Sequence, residues 1–175
     1  MSRGYFGIGV EGISKPMNVG NLLRSAHSFG ASFFFTVNPV VDLEAMKGSD
    51  TSDAFGHIPF YTFEKPADLI LPQKTSLVAV ELVEGATDLP SFRHPQQAVY
   101  VLGPEMGSVS PEMQARCDYT IKIPMKFCVN VGVAGALVMY DRLISLGKFA
   151  DRPVHDGGPG RFSPQKLKKD QIVSG

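Results

Sequence analysis

Residues 98–105, AVYVLGPE, run from five uninterrupted apolar positions into a glycine–proline pair and a glutamate. An apolar run without alternation fits a strand buried on both faces, as in a parallel sheet covered by helices. Gly103-Pro104 then makes a tight turn at the carboxyl end of that strand, where open α/β sheets bind ligands. Glu105 stands at the mouth of that crevice. Only Gly103 and Gly107 occur in the stretch 101–110, so it is not a GxGxxG fingerprint, and no P-loop lysine follows. Taken alone, the stretch reads more readily as an ordinary strand-to-helix turn, with Ser110-Pro111-Glu112 opening the next helix.

Working outward, comparable runs at Tyr5–Val10, Ser32–Val37 (closed by Asn38-Pro39) and Ser76–Leu82 read as further buried strands, with shorter ones at Ile58–Phe63 and Tyr119–Ile123. Helices are expected over Asn18–Phe29, stopped by Gly30, and over Asn130–Leu146; Asp42–Phe55 is a helix or irregular. Leu22, Ala26 and Phe29 fall at i, i+4 and i+7, one buried stripe. The pattern predicts an α/β fold, a mainly parallel sheet with helices on both faces. Phe33, Phe34 and Phe35 are consecutive in a strand, hence buried on both sides and no base-stacking platform.

Two other segments carry candidate chemistry. In Asn18-Val-Gly-Asn-Leu-Leu-Arg24, Asn18, Asn21 and Arg24 recur every three residues, near one helix face and the helix start. Such a corner suits a phosphate or a polarised hydroxyl; the plain alternative is that Asn18 caps the helix and Arg24 is solvated. In residues 123–136, IPMKFCVNVGVAGA, a strand ends at Pro124 and a helix begins with Asn130 at or near its N-cap. Gly132 and Gly135 each cost about 1 kcal/mol against alanine in a helix. Close approach of a ligand or another backbone, or tight packing on the sheet, would compensate.

With 175 residues and 43% apolar content, the chain suits one domain, expected over 1–150. The breakers at Asp156-Gly-Gly-Pro-Gly160 and the lysines at 166, 168 and 169 mark 151–175 as a flexible C-terminal extension able to touch a polyanion. Seventeen basic residues balance seventeen acidic ones, so a polyanion would have to meet a local basic patch. Two cysteines suggest a reducing compartment, the N-terminus lacks a signal-peptide layout, and the longest apolar run, Val129–Tyr140, is too short to span a bilayer. A cytoplasmic protein without a membrane partner is expected. The histidines at 27, 57, 94 and 155 lack metal-ligand spacing, so no metal is expected. His27 lies three residues beyond Arg24, as a catalytic neighbour or a bystander. Lys122 and Lys126 flank the third segment, facing a polyanion or solvent, and Arg142 and Lys148 read as the polar face of the long helix.

In this order and at these separations, Asn18/Asn21/Arg24, Leu102-Gly103-Pro104-Glu105, and Ile123-Pro124-Met125 with Asn130 and Ala134 resemble the three motifs of the SpoU/TrmH branch of the SPOUT methyltransferases. The likeness spans about Gly7 to Leu146. It implies a deep C-terminal trefoil knot, a homodimer, S-adenosylmethionine bound in the knot, and an RNA site built by both subunits. The implied reaction is methylation of a ribose 2′-hydroxyl in RNA, tRNA ahead of rRNA. Arg24 corresponds to the family's catalytic arginine, with Asn18, Asn21, Glu105 and Asn130 ordering its surroundings. Leu82, Leu102, Gly103, Pro104, Ile123, Pro124, Cys128, Val129 and Val133 correspond to cofactor-binding positions. The chain departs from the pattern at Ser108, where the family has glycine, in a shorter loop between Met125 and Asn130, and in Cys128-Val129 where serine-leucine is usual. A family member that binds RNA without transferring methyl groups, and a small-molecule or nucleotide binder on a doubly wound sheet, are the competing readings.

Overall fold

The computed structural model describes residues 4–48 and 53–158. Seven strands form one sheet: β1 (Tyr5–Glu11), β2 (Phe33–Val37), β3 (Phe60–Phe63), β4 (Ser76–Val80), β5 (Thr87–Asp88), β6 (Gln97–Leu102) and β7 (Tyr119–Lys122). Their order is β3-β2-β1-β6-β4-β7-β5, and every pairing is parallel. Parallel neighbours require crossovers, so chain-distant strands meet: Val101 of β6 lies between Gly9 of β1 and Ala79 of β4.

Alternate residues of each strand feed two cores. On one face Ile8, Phe34, Val78, Tyr100 and Ile121 pack under α1 (Pro16–Phe29), α2 (Leu43–Gly48) and α4 (Val131–Leu146). On the other, Phe35, Leu77, Val99 and Val101 pack under Met113 of α3 (Pro111–Arg116) and under Leu69. Arg116 ties that cover together, donating to the carbonyls of Pro66 and Leu69. Each fully buried side chain of this kind stabilises by about 1.5–3 kcal/mol. The consecutive phenylalanines 33–35 are all buried, at 6%, 0% and 0% exposure, as the uninterrupted run required.

α1 begins at Pro16, two residues before Asn18, because proline at the first helical position needs no N–H partner. Gly30 ends it in the left-handed region, φ 76°. Residues 42–55 resolve into the six-residue α2 and a 3₁₀ turn at Ala54–Gly56, with residues 49–52 outside the described set. β5, two residues long, was too short for any pattern. Gly135 answers to helix packing: a Cβ there would stand 2.1 Å from Leu22 Cδ1, so α4 crosses α1 closely. Gly132 likewise faces Asn21 Cβ, at 3.2 Å from a would-be Cβ.

Arg142 corrects the sequence reading. It is 3% exposed, donating to the carbonyls of Pro95 (2.6 Å) and Gln96 (2.8 Å) beneath the start of β6, while Lys148 is exposed as expected. Residues 151–158 are exposed and carry no helix or strand, and the rest of the expected extension, 159–175, lies outside the described residues.

Candidate active site at the carboxyl ends of the central strands

β4, β6 and β7 end side by side, and the loops that leave them wall a cavity of about 330 Å³. Its lining includes Leu82, Leu102, Gly103, Pro104, Ile123, Cys128 and Val129, together with Lys15, Asn18, Glu81, Glu105 and Asn130. The size lies at the lower end of the range for small-molecule pockets. Gly103 lets the loop after β6 fold back: a Cβ there would meet Val109 N at 2.9 Å.

Glu105 reaches from this loop to the start of α1. Its Oε1 accepts from Lys15 N (3.0 Å) and Asn18 Nδ2 (2.8 Å), and its Oε2 from Ser14 N (3.1 Å) and Ser14 Oγ (3.0 Å). A carboxylate from ninety residues away thus holds the two residues that lead into α1 and sets a negative charge at the start of a helix without a side-chain cap. Burial pulls the Glu105 pKa up, but the bonds from Asn18, the loop backbone and Ser14 outweigh it and hold it below the ordinary value.

Asn18, buried at 6% exposure, passes the chain on. Its Oδ1 accepts from Asn130 Nδ2 at 2.8 Å, and Asn130 Oδ1 accepts from Gly132 N at 2.8 Å as the N-cap of α4. All three sequence segments therefore share one hydrogen-bonded line, Glu105–Asn18–Asn130. Two glutamates that the sequence reading missed pin the same loop. Glu11, 5% exposed, accepts from Ser110 N (2.8 Å) and Ser110 Oγ (2.6 Å), and Glu81 accepts from Val109 N (2.7 Å). Each stands at a strand's carboxyl end, which is the one signal that would have drawn notice to it.

Arg24 and Asn21 do not line this cavity. Both are exposed and line an adjoining groove with Ser25, Phe29, Gly132, Val133, Ala136, Leu137 and Tyr140. Asn130 borders both spaces, so it stands on the wall between them. Val133 belongs to the groove, and Pro124 lines neither space. His27 turns away and stacks on His57, ring centroids 4.9 Å apart. Among the described residues no three of His, Cys, Asp and Glu gather as metal ligands, and no helix is long and apolar enough to cross a membrane.

A parallel α/β sheet whose strand ends enclose a pocket beside an arginine-bearing groove is the architecture of a ligand-binding α/β protein. The chain belongs to the SpoU rRNA Methylase family, whose sequence pattern matches residues 6–140. It is 28% identical over 138 residues to a Staphylococcus aureus protein named for the TrmH family of tRNA/rRNA methyltransferases, covering 75% of this chain and 56% of that one. The mouse tRNA (guanosine(18)-2′-O)-methyltransferase TARBP1 is 26% identical over 140 residues, 74% of this chain and 9% of its own length. The chain thus spans little more than half of the bacterial relative. Among solved structures, the AdoMet complex of the SpoU methyltransferase AviRb from Streptomyces viridochromogenes superposes with TM-score 0.73 at 21% identity, covering 82% of this chain and 58% of that one. A structure described as concerning 2-OH methylation of C/U34 on tRNA gives 0.70 at 22% identity, covering 83% and 98%. These likenesses show the shared fold.

Proposed function

We propose that the protein transfers a methyl group from S-adenosylmethionine to a ribose 2′-hydroxyl of RNA, with tRNA favoured over rRNA. The observation that carries the reading is the line Glu105–Asn18–Asn130, which joins a strand-end cavity to the groove holding Arg24. The cavity suits the donor: its wall mixes apolar side chains with backbone at Gly103, and one face carries carboxylates for a cationic ligand. Leu82, Leu102, Gly103, Pro104, Ile123, Cys128 and Val129 would hold it.

When bound, S-adenosylmethionine supplies an electrophilic methyl on a sulfonium. Little covalent work is left to the protein, so positioning dominates. A guanidinium makes a poor base, so Arg24 is assigned no proton transfer. Its role is to stabilise the oxyanion that develops on the ribose oxygen, with an RNA phosphate or water taking the proton. Asn21 shares the groove and orders the same hydroxyl. Asn18 and Asn130, locked by Glu105 and Gly132, keep the wall between donor and acceptor rigid.

The groove also supports a homodimer. Val133, Leu137 and Tyr140 recur at i, i+4 and i+7 on α4 and remain 49%, 40% and 51% exposed, an apolar stripe suited to a second copy. A dimer would set the partner's surface beside Arg24. The strand order, with β6 inserted between β1 and β4, supports the family's trefoil knot. Residues 1–150 would form one catalytic domain, working in the cytoplasm, where free Cys117 and Cys128 stay reduced.

Nucleoside mass spectrometry of RNA incubated with the donor tests the reaction. The wild type is expected to yield a 2′-O-methylated nucleoside. Arg24→Ala should reduce its formation by about 10²-fold or more, the scale of losing one oxyanion donor. Calorimetric donor affinity should stay within about twofold; equal loss of affinity and transfer would overturn this division of labour.

A further inference from the structure

Glu81 follows β4 and lines the cavity, and the transfer chemistry above uses it only as a negative charge on the wall. Its Oε2 accepts from Val109 N at 2.7 Å and its Oε1 from the neighbouring Leu82 N at 3.1 Å. An ionised carboxylate offers about four acceptor positions. Glu105, the other carboxylate on this wall, spends its capacity on Ser14 N, Ser14 Oγ, Lys15 N and Asn18 Nδ2. Glu81 spends two of its own and keeps the remainder beside the cavity. The two backbone bonds fix the carboxylate plane, so its spare lone pairs are preorganised. Bare Gly103 lies next to it, a would-be Cβ standing 3.4 Å from Glu81 Oε2, so no side chain from the end of β6 screens it.

A fixed carboxylate with two open acceptor positions matches a ligand bearing two adjacent hydroxyl donors. Hydrogen bonds to an ionised acceptor are roughly twice as strong as neutral ones, so such a pair would discriminate sharply. We propose that Glu81 binds the vicinal 2′- and 3′-hydroxyls of the donor's adenosyl ribose, a role that rests on the methyl-donor reading above. Glu81 is then a specificity-determining residue that selects ribose-bearing donors, besides anchoring the loop at Val109.

Calorimetry with S-adenosylhomocysteine and its 2′-deoxy and 3′-deoxy analogues separates the two roles. The wild type should bind the parent about tenfold more tightly than either analogue, the worth of about one charged hydrogen bond. Glu81→Gln should lose about tenfold on the parent and less than about threefold on the analogues, so the preference collapses. Equal losses on all three ligands would make Glu81 a loop anchor only and overturn the proposal, as would a wild type without any ribose preference. A wild type that binds none of the three would overturn the donor reading itself, and the role of Glu81 with it. The ligand series on the wild type stands even if Glu81→Gln folds poorly; Glu81→Asp, which keeps the charge but withdraws it, should give an intermediate preference.

Discussion

At the carboxyl ends of β4, β6 and β7, polar groups surround a cavity of about 330 Å³ and Glu81 holds acceptor capacity in reserve. At the amino end of β6, His94, Tyr100, Asp141 and Arg142 turn inward and consume one another. His94 Nδ1 lies 2.6 Å from Tyr100 Oη and Nε2 lies 2.9 Å from Asp141 Oδ2. Arg142 Nη1 donates to Tyr100 Oη at 3.3 Å and to the Pro95 carbonyl. The proton count closes with a neutral ring: Tyr100 donates to Nδ1 and Nε2–H donates to Asp141. Burial lowers the His94 pKa despite the opposing pull of Asp141, and burial pushes the Tyr100 hydroxyl up to about 12 against the pull of Arg142. A residue reader sees an Asp–His–Tyr chain and thinks of catalysis. With His94 4% and Tyr100 0% exposed, the bonds of this network are made within the protein and hold one fold together.

That contrast can be broken from either end. Arg142→Met should cost the most stability, roughly 3 kcal/mol, since it strands the carbonyls of Pro95 and Gln96. Urea unfolding would read the loss, and donor affinity per folded molecule should not change. Tyr100→Phe should cost about 1–2 kcal/mol by the same assay, leaving His94 Nδ1 without its donor. Glu105→Gln should show the opposite profile. Its part-exposed position keeps the stability cost near 1 kcal/mol, while donor affinity and methyl transfer both fall because the starts of α1 and α4 lose their common brace. Parallel losses for Arg142→Met and Glu105→Gln would erase the distinction between the two ends.

The smallest effect is in pH. The folded His94 has a lowered pKa, so its contribution is whole above the ordinary value of 6.5. Below it the unfolded chain takes up a proton that the folded one refuses, and stability falls by at most about 1.4 kcal/mol per pH unit. Glu105, also lowered, contributes above its ordinary 4.5 and loses that contribution as pH falls further. His94→Gln should flatten the stability curve between pH 6.5 and about 5 and leave the more acidic limb in place. An unchanged slope in that window would mean that His94 is charged in the folded state.

Much of the sheet was readable because a strand buried on both faces cannot hide its apolar run: 98–102 lies within β6, and 32–37 exceeds β2 by one residue. The N-cap role of Asn130 and the helix start at Ser110-Pro111-Glu112 were equally legible, since a helix start is decided within three residues. Arg142 was misread because α4 is apolar on most sides, and periodicity could not say which side met the start of β6. Glu11 and Glu81 were passed over because a lone glutamate after a strand reads as a solvated one. Gly135 drew notice for its cost, but whether a ligand or Leu22 filled the space depended on where α1 crossed.

Resemblance to family motifs grouped Asn18, Glu105 and Asn130, and the sequence by itself determined the strands other than β5 and the helix limits to within a few residues. Those follow from steric preference and apolar spacing, which act between near neighbours. Tertiary structure alone decided that Glu105 holds the lead-in to α1, that Asn18 bonds Asn130 across 112 residues of chain, and that Arg24 faces a groove beside the cavity instead of the cavity itself. Hydrogen bonds and charge act over a few ångströms of space, and which residues share that space is fixed only when the sheet orders its strands.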